Sequence, residues 1–444
     1  MDEAPQRPSE ARERGGARVL VIGGGARNHA IAEALRRSPS VAEVVLAPGT
    51  SGLERRGYPT APVATQDLPG LVEHALLEGY DLSVVGPNTP LVDGIVDRFE
   101  AEGLPIFGPT RAAARLEGSK SFARLLMSRL GIPTPRFAIC DDAHRAMHMA
   151  RTQRWARVFK VDGIAYERGV RVTHELAEAE QALQDILVDN IYGLESERIV
   201  VEERIDGVEF TLFALTDGEH VEPMGHVLNH PRLCVGDTGP PSRGMGQVAP
   251  APPLDEAMYR SLVDRVLIPT VRAMAEADTP LRGALFVDLM LCRGEPYAID
   301  YNVRFGDPAT QTLLHAWSGD LYRALQACRG QGDLASAVAA MHHDPRPRVS
   351  VVVVCEGYPH RRVRGAPIAL DESVFDADPD LALYEDGVRV LDGDLLTTGG
   401  RTFTVVAAGD TVAEARARAY RGIAAIRYRG AYHRPDIGVG RGTA

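Results

Sequence analysis

The sequence predicts an α/β protein of three units: an N-terminal doubly wound parallel sheet, a central α+β unit with a small inserted segment, and a C-terminal β-rich unit. Strand-like and helix-like segments alternate from residue 18 to residue 107, which is typical of a parallel sheet covered by helices. Strand-like runs dominate residues 207–307 and return after Pro345 and Pro347. A chain of 444 residues is also long enough for about three domains.

The predicted elements follow in order. Residues 1–17 are polar and are predicted to form a disordered tail. The first unit, 18–119, has strands that begin at residue 18 and lie at 44–47, 82–85 and 105–107, with helices at 68–78 and 90–101. One helical stretch at 111–130 leads into the central unit, 120–345, whose small α/β segment, a candidate lid, covers about 136–206. Further helices are predicted at 254–277 and 309–328, and the β-rich unit covers 346–444.

The composition limits the partners of the chain. A formal net charge of −11 argues against nucleic-acid binding, which requires an excess of Lys and Arg, but a small phosphorylated substrate needs only a local pocket. No apolar run approaches the roughly 18 residues of a membrane span. The five cysteines include no CxxC pair, which predicts reduced thiols and a cytoplasmic location. We therefore expect small-molecule partners, no nucleic acid and no membrane.

A glycine turn, Gly23-Gly-Gly25, connects the first strand to a helix. The backbone N–H groups of Gly24 and Gly25 at a helix N-terminus would form an anion site. An NAD site would require an acid about 20 residues later, at the end of the second strand, but that strand runs into Pro48 and Gly49. We therefore favour a phosphate-bearing substrate over NAD, and a purely structural turn is the alternative.

Three cations in the central unit are candidate phosphate ligands. Lys160 lies in the middle of a predicted strand, where its ammonium can neutralise phosphates as a point charge. Lys120 lies 40 residues earlier, and Arg168 lies in the glycine-flanked segment 166–170, a candidate loop over the phosphates. Taken alone, each lysine is more often a solvated surface charge, and the segment around Arg168 could be an exposed hairpin turn.

The acids Glu202, Glu203 and Glu209 lie near the end of a predicted strand, where a carboxylate can bind ribose hydroxyls. An edge-strand charge cluster is the alternative for them. Farther along, a Gly/Pro-rich loop covers residues 235–246, and long loops inside compact domains are usually functional. This loop offers donors and an anion for a small zwitterionic or carboxylate substrate: Asp237, Thr238, Ser242 and Arg243.

Two adjacent strand-like runs carry the most informative polar residues. Asp288 lies in the first run, and Asp300, Asn302 and Arg304 follow at spacing two in the second, so these three would project from one face of a strand. Carboxylate and amide oxygens suit Mg²⁺, and a guanidinium suits a phosphate in transfer. The pattern predicts a nucleotide–magnesium site, and a buried Asp–Arg ion pair is the alternative.

Motifs from about residue 18 to residue 438 occur in a shared order that resembles the ATP-grasp ligases, and within them the phosphoribosylamine–glycine ligase (glycinamide ribonucleotide synthetase) family. The segments around Asn302 and in the Gly236–Gly246 loop are the most specific of these motifs. The main matching segments are Leu116-Glu-Gly-Ser-Lys-Ser-Phe-Ala123, Gly236-Asp-Thr-Gly-Pro240, Gly244-Met-Gly246, Asn302-Val-Arg-Phe-Gly-Asp-Pro308 and Glu356-Gly-Tyr-Pro359.

The resemblance implies a central ATP-grasp domain and a two-step reaction. A carboxylate attacks the γ-phosphate of ATP to give an acyl phosphate, and an amine then displaces phosphate to form an amide. It implies ATP and Mg²⁺ (or Mn²⁺) as cofactors in a monomer or homodimer. By match to family positions, its implied site residues are ATP ligands Lys120, Lys160, Arg168, Glu202, Glu203 and Glu209; metal ligands Asp300 and Asn302; and the catalytic residue Arg304. From the chemistry of the residues themselves we add a metal ligand, Asp288; catalytic residues Arg243 and Asp237; and substrate ligands Gly24, Gly25, Asn28, Asn88, Thr238, Ser242 and Asp307.

The chain departs from the family pattern mainly at the substrate end. Asn28 and Asn88 stand where the family has Glu, and Arg243 stands where it has Gly. Residues 383–387 read Leu-Tyr-Glu-Asp-Gly where a His-Ala-Gly-Thr sequence is expected. These changes predict a carboxylate–amine ligase whose acid or amine differs from glycine and phosphoribosylamine. Separately, Asp288 stands where the family has a small residue, which predicts a more general ATP-grasp metal site. The alternatives are a genuine phosphoribosylamine–glycine ligase of purine biosynthesis and an inactive nucleotide-binding paralogue.

Overall fold

The computed structural model describes residues 15–163, 169–188, 198–252 and 254–440. In the N-terminal unit, four parallel strands form one sheet in the order β2-β1-β3-β4, which confirms the predicted parallel sheet. Most of the predicted tail, residues 1–14, lies outside the described residues. The elements of this unit are β1 (Ala17–Gly23), α1 (Ala26–Arg36), β2 (Val41–Pro48), α2 (Ser51–Arg55), α3 (Leu68–Glu78), β3 (Leu82–Val85), α4 (Asn88–Val92), α5 (Ile95–Ala101), β4 (Ile106–Phe107) and α6 (Arg111–Gly118).

Two helices predicted as single are each divided in two. The predicted helix 90–101 is α4 and α5, separated at Gly94, whose φ of +85° lies in the left-handed region. The stretch 111–130 is α6 and α7 (Lys120–Arg129), separated by Ser119, which is extended. The Ser119 hydroxyl accepts a hydrogen bond from the Phe122 N–H at 3.2 Å and so caps α7. The break places Lys120 at the start of a helix.

A separate four-stranded antiparallel sheet forms the small α/β segment, in the order β5-β8-β6-β7. Helices α8 and α9 accompany it, and α9 continues through a π-helical turn (Gln184–Val188). Its apolar core, built on Phe159, Ile199 and Val201, forms a cluster of its own. Its elements are β5 (Phe137–Cys140), α8 (Ala143–Thr152), β6 (Ala156–Val161), β7 (Val170–Val172), α9 (Leu176–Leu183) and β8 (Ile199–Glu203).

Long antiparallel strands make up the rest of the central unit. The predicted loop 235–246 contains a short strand that pairs with its neighbour as a two-stranded ribbon, β11-β12. The predicted helix 309–328 is interrupted by a short strand and by Gly319. The elements are β9 (Val208–Asp217), β10 (Val221–Asn229), β11 (Arg232–Cys234), β12 (Thr238–Pro241), β13 (Gly246–Ala249), α10 (Glu256–Leu262), a π-helical turn (Val263–Leu267), α11 (Ile268–Glu276), β14 (Arg282–Cys292), β15 (Glu295–Asn302), α12 (Ala309–Leu314), β16 (Trp317–Ser318), α13 (Leu321–Cys328), α14 (Leu334–Ala339) and β17 (His342–His343).

One eight-stranded sheet joins the central and C-terminal units, in the order β15-β14-β9-β10-β13-β18-β23-β20. At the junction β13 pairs with β18, so that Gly246 lies opposite Val351 and Ala249 opposite Arg348. The predicted boundary at residue 345 therefore separates two parts of one hydrogen-bonded sheet. The C-terminal elements are β18 (Arg348–Val354), β19 (Ala369–Leu370), α15 (Ser373–Asp376), β20 (Leu381–Glu385), β21 (Val388–Leu391), β22 (Asp394–Thr397), β23 (Arg401–Ala408), α16 (Val412–Ala424) and β24 (Ile426–Arg427).

The main hydrophobic core crosses the unit boundaries. Side chains of the N-terminal sheet, the eight-stranded sheet and α16 belong to one buried cluster, in which Leu20, Leu285 and Val405 are fully buried. Among the helices of the described residues, none has both the length and the apolar character to span a membrane.

Candidate active site

A row of polar side chains crosses one face of the eight-stranded sheet. Asp288 on β14 lies opposite Asp300 on β15 and opposite Thr211 on β9. In the next row Glu209 is followed by Asn229 on β10 and Gln247 on β13. Hydrogen bonds run along the row: Gln247 Nε2 donates to Asn229 Oδ1 (2.8 Å), and Asn229 Nδ2 donates to Glu209 (3.0 Å) and Thr211 (2.8 Å). The sheet thereby brings Glu209 close to Asp288, which lies 79 positions later in the sequence.

Asp288 is the centre of this row. One carboxylate oxygen accepts a hydrogen bond from the Thr211 hydroxyl at 2.5 Å, and the other accepts one from Asn302 Nδ2 at 3.1 Å. Burial raises the pKa of Asp288 to about 6, and the Asp300 charge adds to that rise. Burial, with the Asp288 charge, also raises the pKa of Glu209 to about 8. The sheet thus concentrates negative charge where a cation would relieve the repulsion.

Lys120 neutralises Asp300, which lies opposite Asp288 on the neighbouring strand. Its ammonium donates to both oxygens of Asp300 at 2.7 Å. Burial alone would raise the pKa of Asp300, but the charges of Lys120 and Lys160 outweigh it and lower that pKa below its usual value. Asp162, at the end of β6, accepts hydrogen bonds from both serines that flank Lys120, at 2.9 Å from Ser119 Oγ and 2.5 Å from Ser121 Oγ. The small sheet is therefore tied to the helix start that carries the lysine.

The adjacent acids Glu202 and Glu203 face opposite sides of β8. Glu202 is 2% exposed and forms ion pairs with Arg124 (2.6 Å) and Lys160 (3.1 Å). The Lys160 ammonium also donates to the Ile299 carbonyl at 2.8 Å, and burial lowers its pKa. Glu203 is exposed, because neighbouring side chains alternate across a strand. Arg168 lies outside the described residues.

Arg304 follows the end of β15 and lies between the polar row and the N-terminal unit. Its guanidinium donates to Asn302 Oδ1 at 2.9 Å and lies 3.3 Å from Glu117. Glu117 is 2% exposed and also accepts from Asn88 Nδ2 at 2.9 Å and from the Val303 N–H at 2.9 Å. Because Asn302 donates to Asp288 and accepts from Arg304, it links Asp288 to this guanidinium.

The ribbon β11-β12 and its loop are fastened to the C-terminal unit. Asp237 accepts from the fully buried Arg434 at 2.6 Å. The hydroxyls of Thr238 and Ser242 donate to backbone carbonyls within the loop, at 2.9 Å each. The Arg243 N–H donates to the Tyr358 hydroxyl at 3.0 Å, and its exposed side chain extends from the loop. Asp237 is thus part of an ion pair that holds the loop, whereas Arg243 is the cation the loop presents.

Residues from the N-terminal and C-terminal units meet at the glycine turn. Asn28 is 2% exposed, and its amide donates to the Ile22 carbonyl at 3.1 Å beneath the turn. A Cβ on Gly24 would lie 2.5 Å from the Gly49 carbonyl, and one on Gly25 would lie 2.8 Å from Asp386 Oδ1. Gly24 therefore needs to be glycine because backbone lies beside it, whereas a side chain at Gly25 would require the Asp386 carboxylate to move.

Asp307 and Arg401 form a buried ion pair beside the turn. Burial alone would raise the pKa of Asp307, but the Arg401 charge outweighs it and lowers that pKa to about 2. Gln311 Nε2 also donates to Asp307 at 2.7 Å. Arg27 on α1 donates to the Phe305 carbonyl at 3.3 Å, and burial, with the nearby Arg304 charge, lowers its pKa to about 10.

Four residues of the site were absent from the sequence predictions: Glu117, Arg124, Asp386 and Arg401. Glu117 and Arg124 flank the Gly118-Ser-Lys120 motif, so its helical surroundings were the available signal. Asp386 and Arg401 reach the site only because β20 and β23 lie in the shared sheet, which spacing does not reveal. Among the described residues no group of three or more His, Cys, Asp and Glu side chains is placed to hold a metal, so the candidate cation site rests on two carboxylates and an amide.

Family models match the chain over most of its length. The phosphoribosylglycinamide synthetase N domain matches residues 17–117, the ATP-grasp (A) domain matches residues 118–310, and the C domain matches residues 348–440. The chain belongs to the phosphoribosylglycinamide synthetase family. It is accordingly an ATP-dependent ligase that forms a C–N bond, and the resemblance inferred from its motifs is confirmed.

Relatives in the phosphoribosylglycinamide synthetase family match almost end to end. The phosphoribosylamine–glycine ligase of Xylella fastidiosa (strain 9a5c) is 40% identical over 425 residues, covering 95% of this chain and 96% of the relative. The enzyme of the same name from Salmonella typhimurium is 39% identical over 430 residues, covering 95% and 98%. The crystal structure of phosphoribosylamine–glycine ligase from Thermotoga maritima is similar with a TM-score of 0.79 at 26% identity, covering 94% of this chain and 99% of that one.

A more distant structural likeness marks the wider ATP-grasp fold. The biotin carboxylase domain of the Hydrogenobacter thermophilus 2-oxoglutarate carboxylase, solved with MgADP, has a TM-score of 0.73 at 14% identity and covers 94% of this chain and 91% of that one. ATP-grasp enzymes use ATP and Mg²⁺. At 14% identity the likeness establishes a shared fold.

Proposed function

We propose that this chain is a phosphoribosylamine–glycine ligase, which couples ATP hydrolysis to the formation of an amide between glycine and phosphoribosylamine. The observation that carries the proposal is the near end-to-end match, at about 40% identity, to relatives named for this reaction. The polar row of Asp288, Asp300 and Asn302, with Arg304 and Lys120 beside it, supports the ATP half of the reaction.

In the first step, the formation of the acyl phosphate, different residues of the site have different roles. Lys120 and Lys160 bind the phosphates of ATP as point charges, while Glu202 keeps Lys160 and Arg124 in place. A carboxylate oxygen of glycine forms a bond to the γ-phosphorus, and the bond from that phosphorus to the β–γ bridging oxygen breaks, which gives an acyl phosphate and ADP. Arg304 stabilises the charge on the phosphoryl group in transfer.

Asp288 and Asp300 are the residues that would hold Mg²⁺, with Asn302 beside them. Two facing carboxylates and an amide oxygen are the donors that this ion prefers, and a bound Mg²⁺ would supply charge neutralisation to the phosphates. In the second step the amine attacks the acyl carbon and phosphate leaves. The proton that the amine loses leaves with the departing phosphate, which is a stronger base than a carboxylate.

The hypothesis of an altered substrate is supported less well. Asn28, one of its grounds, has its amide turned inward to the Ile22 carbonyl, and Asn88 donates to Glu117. Both substitutions therefore serve contacts within the protein. Arg243, exposed on its loop, is the observation that still favours a second carboxylate or phosphate on the acid substrate. An inactive paralogue is disfavoured because Lys120, Lys160, Asp300, Asn302 and Arg304 are all present in the sequence.

A turnover assay tests the proposal. Phosphoribosylamine is generated in place from ribose 5-phosphate and ammonia, and ADP release and product mass are measured with glycine, ATP and Mg²⁺. We expect turnover of about 1 s⁻¹ or more in the wild type and a loss of at least about 100-fold in Arg304→Ala. Arg265→Ala, which removes an exposed arginine of the helical region, is the matched control.

Two other outcomes would contradict the proposal. ADP release with another amino acid or amine, and none with glycine and phosphoribosylamine, would restore the altered-substrate hypothesis. Binding of ATP without turnover on any acid and amine of a broad panel would identify an inactive paralogue.

A further inference from the structure

Asp386 reaches the glycine turn from the opposite end of the chain. Its Oδ1 lies 2.8 Å from where a Cβ on Gly25 would stand, so only glycine allows the carboxylate to approach the turn this closely. The residue before it, Glu385, is fully buried and forms an ion pair with Arg55 at 3.0 Å. The Glu385 N–H also donates to His29 Nδ1 at 3.0 Å. These contacts with the N-terminal unit fix the position of the Asp386 carboxylate.

The Asp386 carboxylate has acceptor capacity to spare. Its ion-pair partner is Arg401, with Nε 3.3 Å from Oδ2. No donor within the described residues forms a hydrogen bond to either oxygen, and the side chain is 23% exposed. An ionised carboxylate can accept about four hydrogen bonds. A ligand bound at the glycine turn would therefore find an acceptor that the protein itself leaves available.

The charges around Asp386 determine which kind of hydrogen-bond donor can bind to its carboxylate. The guanidinium groups of Arg401, Arg243 and Arg27 and the carboxylate of Asp307 all act on its charge. The three cations outnumber the two carboxylates, Asp307 and Asp386, so the group as a whole disfavours an added ammonium relative to a neutral hydroxyl and attracts a phosphate. The site therefore suits a phosphorylated sugar, with its hydroxyls on the carboxylate and its phosphate near the arginines.

Two positions at the glycine turn, Asp386 and Asn28, differ from the family pattern, and the two differences change the charge in opposite directions. With the glycine of the expected His-Ala-Gly-Thr sequence aligned to Gly387, Asp386 stands where the family has Ala. Asn28, on the other side of the turn, stands where the family has Glu. The chain has thus gained an acid across the turn from the position at which it lost one.

We propose that Asp386 is a specificity-determining residue that accepts hydrogen bonds from the two neighbouring ribose hydroxyls of the amine substrate. The inference rests on the proposed function, because it places the sugar of phosphoribosylamine at the glycine turn. Asp386 touches the substrate without taking part in bond formation.

The test compares a ribose with a deoxyribose. The amine substrate is generated from ribose 5-phosphate and ammonia, or from 2-deoxyribose 5-phosphate and ammonia, and KM is measured for each amine and for glycine. We expect the wild type to favour the ribose compound. In Asp386→Ala, KM for the ribose amine should rise about tenfold or more, the preference should largely disappear, and KM for glycine should stay the same.

Two further variants keep the test decisive. Asp386→Asn retains the shape and one acceptor, so it should show a smaller loss of preference even if Asp386→Ala is poorly folded. Asp394→Asn removes an exposed acid of the same unit and should behave like the wild type. A wild-type preference in Asp386→Ala, or a rise in KM for glycine in place of the amine, would overturn the proposal.

A binding experiment would distinguish failure of the proposed function from failure of the assignment of Asp386. If the wild type shows no turnover, titration calorimetry with ribose 5-phosphate and 2-deoxyribose 5-phosphate still measures sugar recognition. We then expect the wild type to bind the ribose compound more tightly and Asp386→Ala to bind both alike. Equal binding of the two sugars by the wild type would overturn the assignment of Asp386.

Discussion

At the scale of single residues, the direction in which a strand presents its side chains decides which acids serve the site. Asp288 faces Asp300 and Thr211 across two strand pairs, and it accepts hydrogen bonds from Thr211 and Asn302. Two buried carboxylates in one place are costly unless a cation joins them. Asp288 therefore has the properties expected of a metal ligand in the proposed reaction.

Replacement of Asp288 by Asn should depress turnover strongly. The change keeps the shape but removes the charge, so we expect ADP release to fall by about 100-fold and the Mg²⁺ concentration for half-maximal rate to rise. Steady-state assays across a Mg²⁺ titration measure both quantities. Asp206→Asn, at an exposed acid between β8 and β9, is the control, and an unchanged rate in Asp288→Asn would show that Asp288 is structural.

Residue spacing predicted the acid pair but not its neighbours. Asp300 and Asn302 could be assigned to one face because strand side chains repeat every two residues. Arg304 lies beyond the end of β15, and its contact with Glu117 at 3.3 Å depends on the packing of α6 against the sheet. Asp237 shows the same limit, because its partner Arg434 lies 197 positions away.

At the scale of elements, the buried ion pairs of Glu202 connect the small sheet to the helix and strand beside it. Glu202 on β8 binds Arg124 on α7 and Lys160 on β6. Arg124 continues to β15 by donating to the Ile299 carbonyl at 2.6 Å. This group therefore joins the small sheet to the platform that carries Asp300.

Glu202→Gln should destabilise the protein. Removal of one partner leaves two buried cations without a carboxylate, which typically costs about 3–5 kcal/mol. The free energy of unfolding in urea measures the change. The neighbouring Glu203→Gln is a matched control, because that side chain is exposed, and we expect it to change the free energy by less than about 0.5 kcal/mol. Equal effects of the two substitutions would contradict the buried ion pairs.

Helix boundaries were less predictable than helix positions. The apolar period identified a helical stretch at 111–130, but the break at Ser119 depends on Asp162, which accepts from Ser119 and Ser121 and lies 41 or more positions away. A contact made after the chain has folded therefore divides a helix that local propensity would continue. The start of α7 at Lys120 is a product of tertiary structure.

At the scale of the whole molecule, the eight-stranded sheet predicts joint unfolding of the central and C-terminal units. A chain truncated after residue 345 would expose β13 as an unpaired edge, because its partner β18 would be missing. We expect that fragment to aggregate, and we expect the full chain to show one urea transition for tryptophan fluorescence and hydrogen exchange of β18. Two separate transitions would contradict this dependence.

Buried histidines predict how stability responds to acid. Burial lowers the pKa of His226 to about 4, and its Nδ1 accepts the Ala251 N–H at 3.0 Å. The folded state therefore holds this group unprotonated while the unfolded chain, with a pKa near 6.5, takes up a proton. The stabilisation is complete above about pH 6.5 and is lost as the pH falls towards 4.

His226→Asn should remove that part of the pH dependence. Between pH 6 and pH 4.5, the wild type should lose up to about 1.4 kcal/mol per pH unit relative to the variant. Urea unfolding at several pH values gives the difference. His220→Asn, at an exposed histidine with a raised pKa, should not reproduce it, and parallel pH curves for wild type and His226→Asn would contradict the prediction.

The continuity of the large sheet also bears on how a nucleotide could enter and leave. Because eight strands hold Asp288, Gln247 and Arg401 in a single hydrogen-bonded frame, that frame cannot hinge at the junction of its two units without breaking the pairing of β13 and β18. The small sheet has its own core, and polar contacts of Asp162 and Glu202 connect it to α7. Opening and closing over ATP would therefore move the small sheet relative to a rigid large sheet.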